Sequence, residues 1–318
     1  MADRRLMLFS GNANLGLAEE IADYLTIPVG RAKVRKFKDQ EIRLEIDETV
    51  RGADVFIVQP TCYPVNDNLM ELLIMVDAMR RASADRINAL IPYYGYARQE
   101  RKTKARDPIS AKLVANLLTA AGVDRVITMD LHAGAIQGFF DIPLDHLPGV
   151  PLLAEYYKNS GIFTGKKLVV VSPDLGGVTR SRNLANRLDA DIAIIDKQRP
   201  DANQTEIMEI IGDIVGKTAI MVDDMIDTAG TITQGAAEIM KRGAKEVYVC
   251  CTHPVFSPPA LERLEQSVIS QVLTTNTIPV DCVRQGVCSK VKVLSVAAML
   301  GGAIERVHEN TSVSTLFD

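Results

Sequence analysis

The chain has 318 residues, which is too long for one ordinary hydrophobic core and predicts two domains. Hydrophobic residues make up 47% of the sequence, which is typical of a globular chain. A net charge of −4 gives no sign of general nucleic-acid binding, and no apolar run approaches the roughly 18 residues of a membrane-spanning helix. The five cysteines lack CxxC spacing and the N-terminus shows no signal peptide. We therefore expect reduced thiols and a cytoplasmic protein without nucleic-acid or membrane partners.

The first half of the chain alternates short apolar runs with stretches of helical periodicity. Strands are predicted at residues 6–9, 42–46, 55–58, 87–91 and 126–129. Helices are predicted at residues 17–25, 66–82 and 109–121. Strands that alternate with helices predict an α/β fold.

The second half repeats this rhythm, with helices between its strands. These strands are predicted at residues 168–171, 192–195, 219–222 and 247–251. Turn signals are densest at Pro148-Gly149, so we place the boundary there and expect domains at 1–148 and 149–318. A final helix is predicted at residues 295–309, and its pattern leaves open whether it packs on the first domain.

The stretch of residues 218–231, TAIMVDDMIDTAGT, is the most informative part of the sequence. An apolar strand runs into two adjacent acids, Asp223 and Asp224, and then into a turn of small and hydroxyl residues before a helix. Free N–H groups at such a helix start, with the hydroxyls of Thr228 and Thr231, can bind a phosphate. The acids would repel a bare phosphate, so they favour a polyol or a hydrated cation beside it. A sugar phosphate satisfies both requirements, although an ordinary strand-to-helix turn has the same local pattern.

Two further turns follow apolar strands and carry candidate metal ligands. His132 comes just after strand 126–129, at the strand end where ligands bind in open α/β sheets. A neutral imidazole there can ligate a metal or contact a phosphate, whereas the simpler interpretation is a cap of the next helix. Asp174 follows strand 168–171, and its carboxylate suits Mg²⁺. An Asp before Gly-Gly is also ordinary turn chemistry.

Two basic segments have the composition of a nucleotide site. Residues 93–102, YYGYARQERK, place tyrosines beside a basic run that continues with Lys104 and Arg106. Rings and cations together suit a base and its phosphates, and the alternatives are a solvated loop or an RNA-contacting patch. Lys197 and Arg199 are two cations one residue apart on a predicted loop. Such a pair can stabilise a phosphoryl group in transit, or it belongs to a salt-bridged surface turn.

Taken together, these segments resemble the ribose-phosphate pyrophosphokinase (phosphoribosyl-diphosphate synthetase) family. The similarity runs over nearly the full length and includes residues 66–72 (NDNLMEL) and 138–140 (GFF). The resemblance implies two phosphoribosyltransferase-like domains, each a mainly parallel sheet flanked by helices. It also implies transfer of the diphosphoryl group of ATP, with Mg²⁺, to the 1-hydroxyl of ribose 5-phosphate. The products would be phosphoribosyl diphosphate and AMP, for nucleotide biosynthesis.

The resemblance implies a role for each matching residue. The catalytic pair would be Lys197 and Arg199, and the metal ligands would be His132 and Asp174. ATP would be bound by Phe37, Asp39, Glu41, Arg98, Gln99 and His132. Ribose 5-phosphate would be bound by Arg199, Asp223, Asp224, Asp227, Thr228, Ala229, Gly230 and Thr231.

An oligomer, typically a hexamer, is implied as well. In the family the Phe37 segment reaches the ATP site of a neighbouring subunit. Phosphate-activated, ADP-inhibited members use a second site between subunits. The candidates for that site in this chain are Arg51, Arg81, Ser312 and Ser314.

Two positions depart from the family pattern, and two other functions stay open. Gln40 stands where Gly is usual, which bears on the adenine pocket, and Gln198 stands where Arg is common. One alternative is a phosphoribosyltransferase, which would consume phosphoribosyl diphosphate. The other is a non-catalytic regulatory relative of the synthetase. The joint presence of Lys197, Arg199 and His132 favours the synthetase.

Overall fold

The computed structural model describes residues 4–198, 207–280 and 288–317. The chain forms two compact units. The first comprises residues 1–148, 277–279 and 295–318, and the second comprises residues 149–276 and 280–294. The chain therefore leaves the first unit after residue 148 and returns to it for the C-terminal segment. Within the described ranges, none of the helices has the length and apolar character needed to cross a bilayer.

The first unit contains an open parallel sheet and a separate hairpin. Its strands are β1 (Leu6–Ser10), β2 (Ala32–Lys36), β3 (Ile42–Ile46), β4 (Asp54–Val58), β5 (Arg86–Ile91), β6 (Arg125–Met129) and β7 (Leu144–Leu147). Its first helices are α1 (Leu15–Leu25), α2 (Val65–Arg81) and α3 (Ser110–Ala121), with a 3₁₀ segment at Gly134–Phe139. The sheet runs in the order β1-β4-β5-β6-β7 with all pairs parallel. β2 and β3 form the antiparallel hairpin.

The apolar sequences explain the centre of this sheet. All residues of β4 are buried, as expected for a parallel strand that is covered on both faces. α2 buries Leu69, Leu72, Val76 and Met79, which recur at helical spacing and form one stripe. Burial of each such side chain stabilises the fold by about 1.5–3 kcal/mol relative to exposure, before entropy is counted.

The second unit is a larger, mostly parallel sheet. Its strands are β8 (Leu168–Ser172), β9 (Asp191–Gln198), β10 (Ile207–Ile211), β11 (Thr218–Ile226), β12 (Glu246–Pro254), β13 (Ile269–Thr275) and β14 (Val291–Leu294). Its helices are α4 (Val150–Asn159), α5 (Val178–Leu188), α6 (Gly230–Lys241) and α7 (Ala260–Gln266). The strand order is β10-β9-β8-β11-β12-β13-β14, and β10 is antiparallel to β9. The predicted α/β fold with mainly parallel sheets is confirmed.

The last helix, α8 (Ala297–His308), belongs to the first unit and packs against α1. A Cβ atom on Gly301 would lie 2.3 Å from Cδ1 of Tyr24. A larger residue at this position would force the ring of Tyr24 to move, so glycine favours the close approach of the two helices. The chain ends beyond a short 3₁₀ segment at Ser314–Leu316.

A buried ion cluster fixes the C-terminal end of α8 to the parallel sheet. Asp54 of β4 is fully buried. Its Oδ1 accepts a hydrogen bond from Nε of Arg86 at 3.0 Å, and its Oδ2 lies 2.8 Å from Nδ1 of His308. Arg86 also donates to Oδ1 of Asn310 at 3.0 Å. The cluster joins two segments that are more than two hundred residues apart in sequence, since residues 86 and 310 are separated by 224 positions.

Candidate active site

The second sheet reverses its strand order between two neighbouring strands, β8 and β11. After β8 the chain continues to β9 and β10 on one side, and after β11 it continues to β12 on the other. In open α/β sheets, ligands bind outside the carboxyl ends of the strands at such a switch point. The turn of residues 173–177 follows β8, and the loop of residues 227–229 follows β11. Both loops contain predicted site residues, so the topology assigns them to the same end of the sheet.

Asp223 and Asp224 lie near the end of β11, beyond the last pair with β8. β11 pairs with β8 as far as Met221, but with β12 as far as Ile226. The acids therefore lie within the strand, whereas the sequence predicts that they follow it. The reason is that β12 is long enough to keep pairing with β11 there. Asp227 follows the strand directly and is partly buried.

Arg180 of α5 faces this acid pair. Its Nη1 atom lies 3.2 Å from Oδ1 of Asp223 and 3.7 Å from Oδ1 of Asp224. Burial, and then the neighbouring carboxylate of Asp224, raise the pKa of Asp223 to about 8, and Arg180 acts in the opposite direction. One guanidinium thus faces two carboxylates. Because Asp223 keeps its proton up to about pH 8, the pair offers both a donor and acceptors to the hydroxyls of a polyol, and a nearby cation would favour the charged form of Asp223.

The loop after β11 leads directly into the start of α6. Ala229 occupies the N-cap position with a φ of 60°, and its methyl group cannot cap the helix. The N–H groups of the first turn, from Gly230 onward, are therefore available to an anion. Nη1 of Arg263 donates to the carbonyl oxygen of Thr228 at 3.0 Å and holds the loop from outside. The side chains of Thr228 and Thr231 are exposed at this helix start.

Asp174 is exposed in the turn after β8. Its Oδ1 accepts a hydrogen bond from the N–H of Gly177 at 2.9 Å, and its carbonyl oxygen accepts one from Oγ of Ser172 at 2.7 Å. These are the contacts of an ordinary polar turn. They engage one carboxylate oxygen of Asp174, so a role as a metal ligand is compatible with the turn.

The carboxylates of the second unit suit a magnesium ion that keeps most of its waters. Asp174, Asp223 and Asp224 offer the hard oxygen ligands that Mg²⁺ prefers. Among the residues that the structure describes, no group of three or more His, Cys, Asp or Glu side chains is arranged to hold a metal. Mg²⁺ is typically coordinated by one or two protein carboxylates together with waters and substrate phosphates. The three carboxylates of the second unit are compatible with that coordination.

A cleft of about 590 Å³ lies in the first unit, in the loops that follow β4 and β5. One wall is formed by residues 63–67 and the other by residues between 93 and 99. Oγ1 of Thr61 accepts a hydrogen bond from the N–H of Gly95 at 2.7 Å, which ties the two loops together. A Cβ atom on Gly95 would lie 2.4 Å from the carbonyl oxygen of Thr61, so this approach requires glycine.

Arg98 and Gln99, two of the predicted ATP-binding residues, line this cleft. Oε1 of Gln99 accepts a hydrogen bond from Oγ of Ser110 at the start of α3. The tyrosines of the same loop lie in different environments, since Tyr93 and Tyr96 line the cleft and Tyr94 does not. Tyr94 is buried and donates to the carbonyl oxygen of Ala111 at 2.9 Å. The prediction that the tyrosines of this loop suit a nucleotide base is wrong for Tyr94, because its ring belongs to the core.

Phe37, Asp39 and Glu41 lie at the exposed tip of the β2–β3 hairpin. Oδ1 of Asp39 accepts a hydrogen bond from the N–H of Glu41 at 3.1 Å. None of the three is among the residues that line the cleft, so a single chain does not gather all the predicted ATP ligands there. Gln40 has a φ of 76° in this tip. That left-handed conformation favours glycine, which is the residue usual in the family.

The other predicted residues divide between the two units. His132 is exposed after β6 in the first unit, whereas Asp174 belongs to the second. Lys197 lies in β9, where its backbone pairs with Met208 of β10, although the sequence predicts a loop there. That loop prediction is wrong for Lys197 because the antiparallel partner extends the strand. Arg199 lies outside the described residues.

The candidates for a second phosphate site belong to the first unit. Nε of Arg81 pairs with Oδ2 of Asp77 at 2.8 Å on the surface of α2. Oγ of Ser312 lies 2.9 Å from Oγ of Ser314. Arg51 is exposed in the turn before β4. All of these side chains are at the surface.

Sequence reasoning missed two residues of these sites, Arg180 and Tyr63. Arg180 is in the first turn of α5, where the helix dipole disfavours a cation, and that position is the signal that could have revealed it. Tyr63 lines the cleft and is 91% exposed. Nothing in its sequence context distinguishes it from a surface turn residue.

Comparison with known proteins adds independent evidence. A family model described as the N-terminal domain of ribose phosphate pyrophosphokinase matches residues 6–122, and one described as the phosphoribosyl synthetase-associated domain matches residues 200–318. A ribose-phosphate pyrophosphokinase from Clostridium tetani is 61% identical over 315 residues, with 99% of this chain and 98% of the relative covered. One from Fusobacterium nucleatum is 59% identical over 311 residues, with 98% of each covered. The crystal structure of phosphoribosylpyrophosphate synthetase from Mycobacterium smegmatis is similar with a TM-score of 0.91 and 42% identity, covering 96% of this chain and 100% of that chain.

Mainly parallel sheets flanked by helices, with an uncapped helix start at a switch point, define an α/β protein with the fold of a phosphoribosylpyrophosphate synthetase. Within this class, the chain belongs to the ribose-phosphate pyrophosphokinase family, which is a family of enzymes. The family predicted from the sequence motifs is confirmed.

Proposed function

We propose that the protein transfers the diphosphoryl group of ATP to the 1-hydroxyl of ribose 5-phosphate and releases phosphoribosyl diphosphate and AMP. The observation that carries this proposal is the switch point of the second sheet. There, an acid pair that faces Arg180 adjoins a helix start without a side-chain cap. Membership of a family whose members are named ribose-phosphate pyrophosphokinases supports the same reaction.

The acceptor sugar is bound at the carboxyl ends of β8 and β11. The first-turn N–H groups of α6 and the hydroxyls of Thr228 and Thr231 donate to the 5-phosphate, and the helix dipole favours its charge. Asp223 and Asp224 accept hydrogen bonds from the ribose hydroxyls, which are neutral and tolerate the acids. Arg180 lies 3.2 Å from Asp223 and acts as a positioning residue, because it partly compensates the acid pair.

ATP is bound by residues of the first unit. Arg98 and Gln99 act from the cleft, and the hairpin tip at residues 37–41 supplies further contacts. His132 in the first unit and Asp174 in the second are each candidate ligands of Mg²⁺, and waters and phosphate oxygens would complete its coordination. When bound, Mg²⁺ would neutralise charge on the phosphates.

Catalysis in this proposal rests on positioning and charge. Attack on the β-phosphorus needs no covalent enzyme intermediate, so the chain needs cations and anion-binding loops rather than a nucleophilic side chain. Lys197 and Arg199 act on the phosphoryl group during transfer, when its developing charge makes their contacts strongest.

We also propose a homo-oligomer, in its full form a hexamer, in the cytoplasm. Phe37 supports it, since this ring is 48% exposed at the hairpin tip and lies outside the residues that line the cleft. In an oligomer a neighbouring chain would cover the ring. Phosphate and ADP act as regulators through Arg51, Arg81, Ser312 and Ser314.

The test is an incubation of the protein with ATP, Mg²⁺ and ribose 5-phosphate. We expect AMP and phosphoribosyl diphosphate to appear in equal amounts, and neither to appear without the sugar phosphate. Release of diphosphate from phosphoribosyl diphosphate with a nucleobase would instead identify a phosphoribosyltransferase. A protein that binds ATP but forms neither product would be a regulatory relative, and the proposal would fail.

A further inference from the structure

A buried carboxylate in the first unit has no role in the proposed reaction. Glu71 of α2 is 4% exposed, and its two oxygens accept three hydrogen bonds. Oε1 accepts from Nδ2 of Asn12 at 2.8 Å. Oε2 accepts from the N–H of Asn12 at 3.1 Å and from Nε2 of Gln59 at 2.9 Å. A buried charge on a helix is costly unless it is satisfied in this way.

The partners of Glu71 require an acceptor at this position. Gln59 is fully buried, its Nε2 also donates to the carbonyl oxygen of Asn68 at 3.2 Å, and its Oε1 accepts from the N–H of Ala13 at 3.1 Å. Those contacts fix the orientation of the Gln59 amide. Since Asn12 and Gln59 both present N–H groups to residue 71, an amide there would place a donor against donors.

The same network reaches the hairpin that carries Phe37. The second hydrogen on Nδ2 of Asn12 is donated to the carbonyl oxygen of Val34 in β2, at 3.2 Å. Nζ of Lys36, at the end of β2, pairs with Oδ2 of Asp67 at 2.5 Å. In addition to apolar packing, two polar links therefore attach α2 to the hairpin, one directly through Asp67 and one from Glu71 through Asn12.

The first turn of α2 also forms one wall of the cleft that contains Arg98 and Gln99, because residues 65–67 line it. One helix thus holds both the hairpin and the cleft wall. Neither Glu71 nor Asn12 lines the cleft, so a change in this attachment acts first on the link between the hairpin and α2.

We propose that Glu71 is a positioning residue for ATP, which fixes the β2–β3 hairpin to α2 and thereby sets where the hairpin tip stands. The proposal rests on the proposed function in that the hairpin tip and Arg98 are taken to bind the nucleotide. Glu71 itself does not contact the substrate in this account. Glu71 affects nucleotide binding indirectly, because it holds Asn12, and Asn12 in turn is bonded to the backbone of β2.

The diagnostic variant is Glu71→Gln, which keeps the shape of the side chain and reverses one acceptor into a donor. We expect amide hydrogens of residues 32–46 to exchange at least about tenfold faster, since a lost hydrogen bond to a charged group is worth that factor or more. Amides of the second unit should keep their wild-type rates. The KM for ATP should rise by about tenfold, and kcat and the KM for ribose 5-phosphate should stay within about twofold.

Two further variants make the test decisive. Asn12→Ala removes the hydrogen bond to the carbonyl oxygen of Val34. Because Asn12 is exposed, we expect this variant to fold even if Glu71→Gln does not. It should accelerate exchange in the same hairpin, and the double variant should add little to either single one. Glu19→Gln is the matched control, because it makes the same chemical change at an exposed acid of the first unit.

The outcomes separate this proposal from the proposed function. If the wild-type protein makes no AMP from ATP and ribose 5-phosphate, the proposed function fails, whatever the hairpin does. If wild-type activity is present, the KM and exchange data decide the role of Glu71. Unchanged exchange in the hairpin, uniform acceleration across both units, or an unchanged KM for ATP would each overturn the positioning role.

Discussion

Among single residues, Asp223 has the environment with the clearest consequence for pH. Burial and the carboxylate of Asp224 raise its pKa from 3.8 to about 8. The stabilising contribution of the protonated form is therefore fully present below about pH 4 and is lost as the pH rises through about 8. We expect Asp223→Asn to gain stability relative to the wild type as pH rises through this window. Urea unfolding of the ligand-free proteins at several pH values measures the difference.

The control for this titration is Asp77→Asn. The guanidinium of Arg81 lowers the pKa of Asp77, so its contribution is complete above the ordinary carboxyl range and stays constant up to about pH 8. A difference between Asp223→Asn and the wild type that does not grow with pH would contradict the raised pKa of Asp223.

Gln40 is the second residue with a measurable consequence. Its φ of 76° is left-handed, which costs a residue with a Cβ atom roughly 1 kcal/mol. We expect Gln40→Gly to raise the free energy of unfolding by roughly this amount, as measured by chemical denaturation. Lys38→Gly, in the same tip but without a positive φ, should lower it. Equal effects of the two glycines would exclude strain at Gln40.

The position of a site residue could be predicted where the residue directly follows an apolar strand in the sequence. Asp223 and Asp224 follow an apolar run, so their place near the carboxyl end of a strand could be predicted, although the strand continues past them to Ile226. Arg180 could not be assigned to them from sequence, because it is 43 residues away and meets the acids only through packing of α5 on the sheet. Gln40 was recognised as a departure, but its left-handed backbone is a property of the folded turn.

At the scale of elements, the most specific prediction concerns phosphate binding at the start of α6. If its N–H groups and nearby hydroxyls bind the 5-phosphate, Thr228→Val should weaken binding of ribose 5-phosphate by roughly tenfold or more, since one hydrogen bond to a charged group is lost. Calorimetric titration with the sugar phosphate measures this. Thr233→Val is the control, because Oγ1 of Thr233 is bonded to the carbonyl oxygen of Ala229 within the helix. Equal losses in both variants would indicate damage to the helix instead of loss of a phosphate contact.

Strand boundaries show which features of elements escape a single sequence. The apolar cores of β4, β8, β11 and β12 were predicted, because fully buried parallel strands have continuous apolar runs. β2, β7, β10, β13 and β14 were not predicted. In β2 the charged residues Lys33, Arg35 and Lys36 hide an alternation that only pairing with β3 makes clear. The extension of β9 to Lys197 likewise depends on the partner β10.

At the scale of the whole chain, the attachment of α8 to the first unit is the feature most open to test. Arg86→Ala would leave the carboxylate of Asp54, which is fully buried, without its guanidinium. We expect the free energy of unfolding to fall by roughly 3 kcal/mol, together with faster amide exchange in α8. Arg81→Ala should change stability by less than about 1 kcal/mol, because its pair with Asp77 is exposed. Similar effects of the two variants would show that the buried cluster does not hold α8.

The return of the C-terminal segment to the first unit marks the limit of sequence reasoning at this scale. The helical periodicity of residues 295–309 was recognised, but an amphipathic pattern does not specify which surface it covers. Gly301 and the cluster around Asp54 decide that choice, and both act through contacts with distant parts of the chain. The family, by contrast, could be predicted because its motifs are local runs at strand ends.

The destination of the phosphorus atoms of ATP tests the central claim most directly. Ribose 5-phosphate would be incubated with Mg²⁺, the protein and ATP that carries radioactive phosphorus at either the α or the γ position. Transfer of a diphosphoryl group predicts that the γ label appears in phosphoribosyl diphosphate and the α label in AMP. Appearance of the γ label in inorganic phosphate, with the α label in ADP, would contradict the account.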